Sequence, residues 1–415
     1  MTPAAETRKQ ACLDSGIQYL NFVAADVNGD LRSMEEDRSN FKKYFAHGLG
    51  VDGSSIPGYA KHASRSDVLM MADFEEETAF RPTIAVEDMS VVMCDVYGPE
   101  GKPHGGCPRS VLKRVLDMYK AKGWTSQMQT EIEFYLVHAG EDQKLVDQAG
   151  YMELPPADKG FGYRRKLAEL LAGAGVSVRR IHHECGPSQN EIELNLRPSL
   201  ESQDSTILSM WLTRMLAAQY GWDALLSPLP FGMGKAGNGL HQHIIVHDKD
   251  GKNIFFDEEK GQGLSKMGLS YIAGVLKYGK EITAVFARDQ ETFDRFNNKG
   301  HEAPVDLMWG AMNRSALVRI PAAHGSDIHM EFRAGDASGN TYLMAAALLL
   351  AGLKGVEDGL EAPAEGEVVG HLPLTADECE KLLVESPFIN ELLGDHMREY
   401  LIETMPGKEV KPLHG

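Results

Sequence analysis

The sequence predicts an α+β protein built around an antiparallel sheet. Helical stretches alternate with single strand-like segments along all 415 residues. No regular strand–helix–strand repeat with nucleotide-binding glycine loops occurs, which argues against a doubly wound fold. Three separated segments, Thr130-Glu131-Ile132-Glu133-Phe134, Gly239-Leu240-His241-Gln242-His243 and Met330-Glu331-Phe332-Arg333, carry polar groups two residues apart. On a strand that spacing sends both side chains to one face.

Residues 5–16 read as a short helix. Tyr19 to Val27 alternates as a strand and ends at the turn Asn28-Gly29-Asp30. Gly48 to Ser55 reads as a glycine-rich loop, without the pattern of a phosphate loop. Ser90 to Tyr97 is expected as a buried strand. Gly98 to Pro108, with three prolines and four glycines, reads as a linker that divides residues 1–103 from 104–415. Beyond it, Arg109 to Lys122 is an amphipathic helix and Glu131 to Val137 a strand. Tyr163 to Ala174 is a helix ended by Gly175, and Ser205 to Tyr220 another helix. His241 to His247 is a strand, Lys266 to Lys277 and Asn340 to Val356 are helices, and Thr375 to Thr404 is helical with charged faces.

A net charge of -18 argues against nucleic acid or anionic membrane as partner. The longest apolar run, Leu343 to Leu353, is too short to span a bilayer. Five cysteines without a C-x-x-C pair, and an N-terminus without an apolar signal core, predict a reduced, cytoplasmic protein.

The polar pairs carry the chemistry. Alone, Glu131 and Glu133 read as a solvated strand face. Beside bulky Ile132, Phe134 and Tyr135, however, two carboxylates repel unless a cation sits between them. Glu184 and Glu191 flank Gly186-Pro187-Ser188, a turn that would bring both acids toward one point. His241 and His243 beside carboxylates suit a mixed magnesium or manganese site. Arg314, Arg319 and Arg333 add fixed cations whose forks fit phosphate and carboxylate oxygens. Metals and arginines together suit phosphoryl transfer.

Together these segments resemble the glutamine synthetase family, the ATP-dependent glutamate–ammonia ligases, over nearly the whole chain and in order. Asp52-Gly53-Ser54-Ser55-Ile56, Glu131 to Phe134, Tyr151 to Asp158, His182-His183-Glu184 through Glu191, Gly237 to His243, Asn313 to Pro321 and Glu331-Phe332-Arg333 carry the resemblance. It implies a small N-terminal β-grasp domain and a large catalytic domain whose curved antiparallel sheet is flanked by helices. It also implies ATP, two or more Mg2+ or Mn2+ ions, and hexameric rings, usually stacked as a dodecamer.

Carried over by position, the resemblance implies that Glu133, Glu184 and Glu191 hold the metal nearer the glutamate. Glu131, His241 and Glu331 would hold the one bridging the ATP phosphates. His243, Arg314 and Arg319 would contact the nucleotide, and Gly237, Arg319 and Arg333 the substrates. Glu302 matches a flap glutamate that helps deprotonate ammonium. Asp52, donated by a neighbouring subunit, and Asp67 would bind the amine. The reaction implied is attack of the glutamate γ-carboxylate on ATP to give γ-glutamyl phosphate, followed by amide formation with ammonia.

The departures fall at substrate positions. By register Phe296 replaces an arginine that contacts glutamate, with Arg295 next to it. Ala236 replaces an asparagine, Ser326 a lysine and His329 an arginine. They open the alternative of a γ-glutamylamide synthetase using a small organic amine or another carboxylic acid. A catalytically silent ring protein would be marked by missing metal ligands, and none is missing.

Overall fold

The computed structural model describes residues 2–76, 80–84, 89–140, 142–257, 263–298, 303–323 and 325–408. The N-terminal region runs α1 (Pro3–Asp14), β1 (Tyr19–Ala25), β2 (Leu31–Asp37), α2 (Phe41–His47), β3 (Leu49–Asp52), β4 (Asp67–Ala72), β5 (Phe80–Ile84) and β6 (Met89–Tyr97). Its sheet has the order β2-β1-β6-β4-β3, with β5 also on β6. The β1–β6 pair is parallel and the others are antiparallel. One face buries Phe22, Phe41, Phe45 and Phe74, with the Phe45 and Phe74 rings 4.9 Å apart and edge to face.

The remainder runs α3 (Pro108–Ala121), β7 (Thr125–His138), α4 (Phe161–Gly173), β8 (Val178–His183), β9 (Gln189–Leu194), β10 (Arg197–Pro198), α5 (Ser199–Gln219), β11 (Trp222–Leu225) and β12 (Leu240–His247). There follow β13 (Phe256–Asp257), β14 (Gly263–Leu264), α6 (Lys266–Lys277), α7 (Gly279–Phe286), α8 (Gln290–Asn297), β15 (Trp309–Ala311), β16 (Val318–Ile320) and β17 (Met330–Phe332). The last elements are α9 (Thr341–Glu357), α10 (Ala376–Glu385) and α11 (Pro387–Glu403). A nine-stranded sheet orders β15-β16-β17-β12-β7-β9-β8, with β10 and β11 also on β7. All its pairs are antiparallel except β15–β16.

Alternation gives this sheet two unlike faces. Ile132, Phe134, Leu240, Ile244, Met330 and Phe332 are buried on one side, in the core shared with α5 and α9. Each such side chain contributes about 1.5–3 kcal/mol by leaving water. Two polar residues share that side. Thr130 bonds Gln242 Oε1 at 3.3 Å, and Gln203 of α5 donates to the same oxygen at 3.1 Å. Thr206 donates to Thr130 at 2.8 Å, and Thr341 of α9 donates to Gln203. This network fixes β7 against β12, because a register slip would orphan buried amides. Helices α6 and α9 pack closely at Gly274, where a Cβ would lie 2.2 Å from the Ala351 carbonyl.

Buried charge joins the two sheets. Arg109 of α3 holds Asp204 of α5 through two bonds of 2.9 Å, and holds Asp73 and Asp95 at 2.7 and 2.8 Å. Lys113 also binds Asp73 and Asp95, and the Tyr342 hydroxyl donates to Asp204 at 2.7 Å.

Two expectations change. The expected loop at Gly48 to Ser55 contains β3, because Leu49 to Asp52 pairs with Asp67 to Met70. Glycine content hid a strand whose partner lies distant in sequence. The stretch Thr375 to Thr404, expected as helical, is interrupted at Ser386-Pro387 and kinked again at Gly394, at φ 70 and ψ 173. Pro387 has no N–H to continue α10 and keeps Ser386 extended, at φ -79 and ψ 120.

Candidate active site

The sheet face opposite the apolar core gathers the expected acids and histidines, and strand register explains how. His241 pairs with Glu131, and Glu131 with Glu193. One row along, Glu133 pairs with Glu191, and Glu191 with His182. One row the other way, Arg319 pairs with Glu331, Glu331 with His243, and His243 with Gln129. Residues from β16, β17, β12, β7, β9 and β8 thus share one surface.

Among the described residues, three compact groups of acids and histidines result on this face. The reactive atoms of Glu131, His241 and Glu331 lie within 4.8 Å of one another. His241 Nδ1 is 2.9 Å from Glu131 and 3.6 Å from Glu331. Glu331, fully buried, also accepts from Arg319 at 2.7 Å and from Arg333 at 2.6 Å. Burial opposes ionisation of Glu331, but His243, His241 and Arg333 outweigh it and hold its pKa below the usual range. Burial likewise opposes ionised Glu131, while His243 and His241 hold it well down. His243 Nε2 meets Glu131 at 3.0 Å, and its Nδ1 lies 3.0 Å from His329 Nε2. The second group joins His182, Glu184 and Glu191, again within 4.8 Å.

Where the sequence resemblance implies Glu133 with Glu184 and Glu191, the structure adds His182 beside them, 3.3 Å from Glu191. Glu133 stays opposite Glu191 and accepts from the Gly239 N–H at 2.7 Å. A Cβ on Gly239 would lie 2.6 Å from His241 Nε2, so a side chain there would collide with the imidazole. Burial raises the Glu133 pKa, with Glu184 adding repulsion. Glu191 is raised well above a normal carboxyl, first by burial and then by Glu131, Glu133, Glu184 and Glu193. Here acids outnumber the cations that the protein supplies. A carboxylate and imidazole donor set with uncompensated negative charge fits a hard divalent ion.

Other expected residues lie outside these groups. Arg314 is exposed in the turn between β15 and β16, where its carbonyl accepts from Arg333 Nε at 3.0 Å. Asp52 and Asp67 pair across β3 and β4 and line a cavity of about 480 Å³ with Gly50, Val51, Val68, Leu69 and Pro99. Hydrogen bonds from Ser66, Ser54 and Ser55 hold the Asp52 carboxyl at about 2. Glu302 lies outside the described residues. Phe296, in the place of the expected arginine, is buried in the core. Arg295 is buried beside it, donating to the Ala334 and Gly335 carbonyls. It packs under Gly237, where a Cβ would come within 2.9 Å of its Cδ.

Sequence reasoning missed Glu193 and Gln189. Glu193 groups with Glu131 and His243, and Gln189 reaches Glu133 at 3.4 Å and Asn238 at 3.1 Å. The alternation Gln189, Glu191, Glu193 was the available signal.

Comparison with known proteins decides the family. The model described as glutamine synthetase, catalytic domain, matches residues 105–412, and the one described as glutamine synthetase, beta-Grasp domain, matches residues 16–99. The chain belongs to the glutamine synthetase family. It is 32% identical to the glutamine synthetase of Thermotoga maritima, over 96% of this chain and 94% of that protein. It is 33% identical to that of Pyrococcus furiosus, over 94% and 89%. Among solved structures, an apo GmaS without ligand superimposes with a TM-score of 0.85 at 22% identity, covering 95% of this chain and 94% of that one. A novel glutamine synthase homolog does so at 0.80 and 23%, covering 94% and 93%. The glutamine synthetase fold, with its β-grasp domain and helix-flanked catalytic sheet, is therefore that of this chain, and the protein is an ATP-dependent ligase. Among the described residues, no helix is long and apolar enough to cross a membrane.

Proposed function

We propose that the chain joins L-glutamate to ammonia through γ-glutamyl phosphate, at the acidic face of the large sheet. The observation carrying this reading is the pair of clusters on adjacent rows, one held by Arg319 and Arg333 and the other short of positive charge. Glu131, His241 and Glu331 would hold one Mg2+ or Mn2+, and Glu133, Glu184 and Glu191, with His182 beside them, another. Such ions offset phosphate charge and polarise the transferred group.

The chain's own residues supply the rest. Arg319 and Arg333 fix the Glu331 carboxylate, so that cluster keeps its shape before substrates arrive. His243, Arg314 and Arg319 face the nucleotide, and Gly237 and Arg333 the acid. Glu302 and Asp52 take up the amine and its proton, since an ammonium ion has no lone pair for attack. Asp52 bonds only to nearby serines among its described contacts. That supports its donation to a second chain's site in a ring, a hexamer or stacked dodecamer.

A second reading has its own observation. Phe296 turns into the core, so the register position of the expected arginine carries no cation, and Arg295 beside it is tied to two backbone carbonyls through Nη2. This favours a small organic amine or a different carboxylic acid. ADP release with ATP, Mg2+ and L-glutamate, scanned over ammonia, methylamine, ethanolamine and putrescine, separates the readings. Ammonia as the best amine supports the first reading. An organic amine as the best supports the second. No release with any amine would remove glutamate from both.

A further inference from the structure

The face carries a cationic feature that none of the roles above uses. Two consecutive residues, Arg179 and Arg180, both meet Glu193. Arg179 Nη1 donates to Glu193 Oε1 at 2.7 Å, and Arg180 Nε stands 3.3 Å from Glu193 Oε2. In a regular strand, neighbours point to opposite faces. Here the β8–β9 register shifts between Val178 and Arg180, and the irregularity brings Arg179 onto the face that Arg180 and His182 already occupy.

Their position is specific. Glu193 pairs with Glu131 across β9 and β7, and Arg179 Nη1 also lies 3.4 Å from Gln129 Oε1. Gln129 pairs with His243. The two arginines therefore border Glu131 through Glu193, and Arg179 borders His243 through Gln129.

Glu193 has 2% residue exposure, whereas the arginine side chains are 44% and 58% exposed. One buried carboxylate anchors two guanidinium groups and leaves a surplus positive charge. Arg179 commits Nη1 alone, so Nε and Nη2 remain for a ligand, in the fork geometry that suits phosphate oxygens. Across the sheet, Arg319 and Arg333 each donate to Glu331.

We propose that Arg179 and Arg180 form a cationic subsite for the phosphate chain of ATP, presented by the irregularity in β8 and anchored by Glu193. The proposal rests on the nucleotide lying at the His243 end of the face. Binding of ADP with saturating Mg2+, measured by calorimetry without turnover, tests it. R179A and R179A/R180A should weaken ADP by about ten-fold or more, as expected for charge-assisted bonds. Unchanged ADP affinity in the double variant would overturn the proposal. R179Q/E193Q removes a cation together with its buried partner, so it remains informative if a single variant fails to fold. Compared with E193Q alone, it should still bind ADP several-fold more weakly. Equal affinity would mean that Arg179 only neutralises Glu193, and the proposal would fall. Wild-type protein that bound no ADP would instead remove the nucleotide from this face, a separate failure of the functional reading.

Discussion

Two buried charge clusters in this molecule are built on opposite principles. At the junction of the two sheets, Arg109 and Lys113 answer Asp73, Asp95 and Asp204 with short ion pairs. Burial opposes ionisation of Asp73, yet Arg109 and Lys113 hold its pKa far below the usual range. On the acidic face, Glu133, Glu184 and Glu191 crowd together with the His182 ring 3.3 Å from Glu191, and Glu191 is pushed well up. The first cluster is complete within the protein and holds the domains together. The second is left short of positive charge, and burying unpaired acids costs stability unless an outside cation compensates.

Breaking the first cluster should have the largest effect. Arg109→Met leaves Asp73 and Asp95 with Lys113 and Asp204 with the Tyr342 hydroxyl, and should destabilise the protein by about 3–5 kcal/mol. Chemical unfolding would show it, and an unchanged midpoint would mean the cluster is not the junction's support. The same kind of charge removal on the acidic face should do the reverse. Glu191→Gln should be at least as stable as wild type in EDTA, because repulsion is relieved. It should nevertheless lose the melting-temperature rise on adding Mn2+, and lose turnover by roughly a hundred-fold or more. A variant that melted lower in EDTA would contradict the uncompensated reading.

Acidity should separate the clusters without mutation. Glu191 has a raised pKa, and a cation requires its deprotonated form. Metal affinity should therefore be greatest above that pKa and fall with decreasing pH, by up to about ten-fold per unit for one proton released. Asp73 has a lowered pKa, so its contribution to stability is present above the ordinary carboxyl range and is lost only as pH falls through its folded value. Calorimetry with Mn2+ over a descending pH series should show the first trend, while the melting temperature in EDTA shows no loss assignable to Asp73 until the pH falls below the ordinary carboxyl range. Pairing metal binding with a pH-independent affinity would sink the proton-competition argument. The smallest effect expected is that of Tyr342→Phe. It removes one neutral donor from Asp204, which keeps both bonds to Arg109, and should cost about 1 kcal/mol in unfolding measurements.

Much of the site was legible before the fold was known, because strand alternation is a local rule. Glu131 and Glu133, or His241 and His243, need only a period of two to share a face. The turn at Gly186-Pro187-Ser188 likewise announced that Glu184 and Glu191 converge, as β8 and β9 confirm. The β3 strand was not legible, since its glycines mask a pairing with residues 67–70. Nor was the position of Arg179: a local register shift reverses the face that alternation assigns. Arg295 could be seen as a neighbour of the expected arginine position, but not that backbone carbonyls occupy its Nη2.

By itself the sequence determined the α+β class, the family and the inventory of acids, histidines and arginines, because periodicity and motif order are written along one chain. The tertiary structure decided which strands lie side by side, and hence that His182 joins Glu184 and Glu191, that Glu331 belongs to two arginines, and that Arg109 closes the domain junction. Those outcomes depend on register and burial between residues as far apart as 131 and 331, and a carboxylate becomes a paired structural ion or an uncompensated one only through its neighbours.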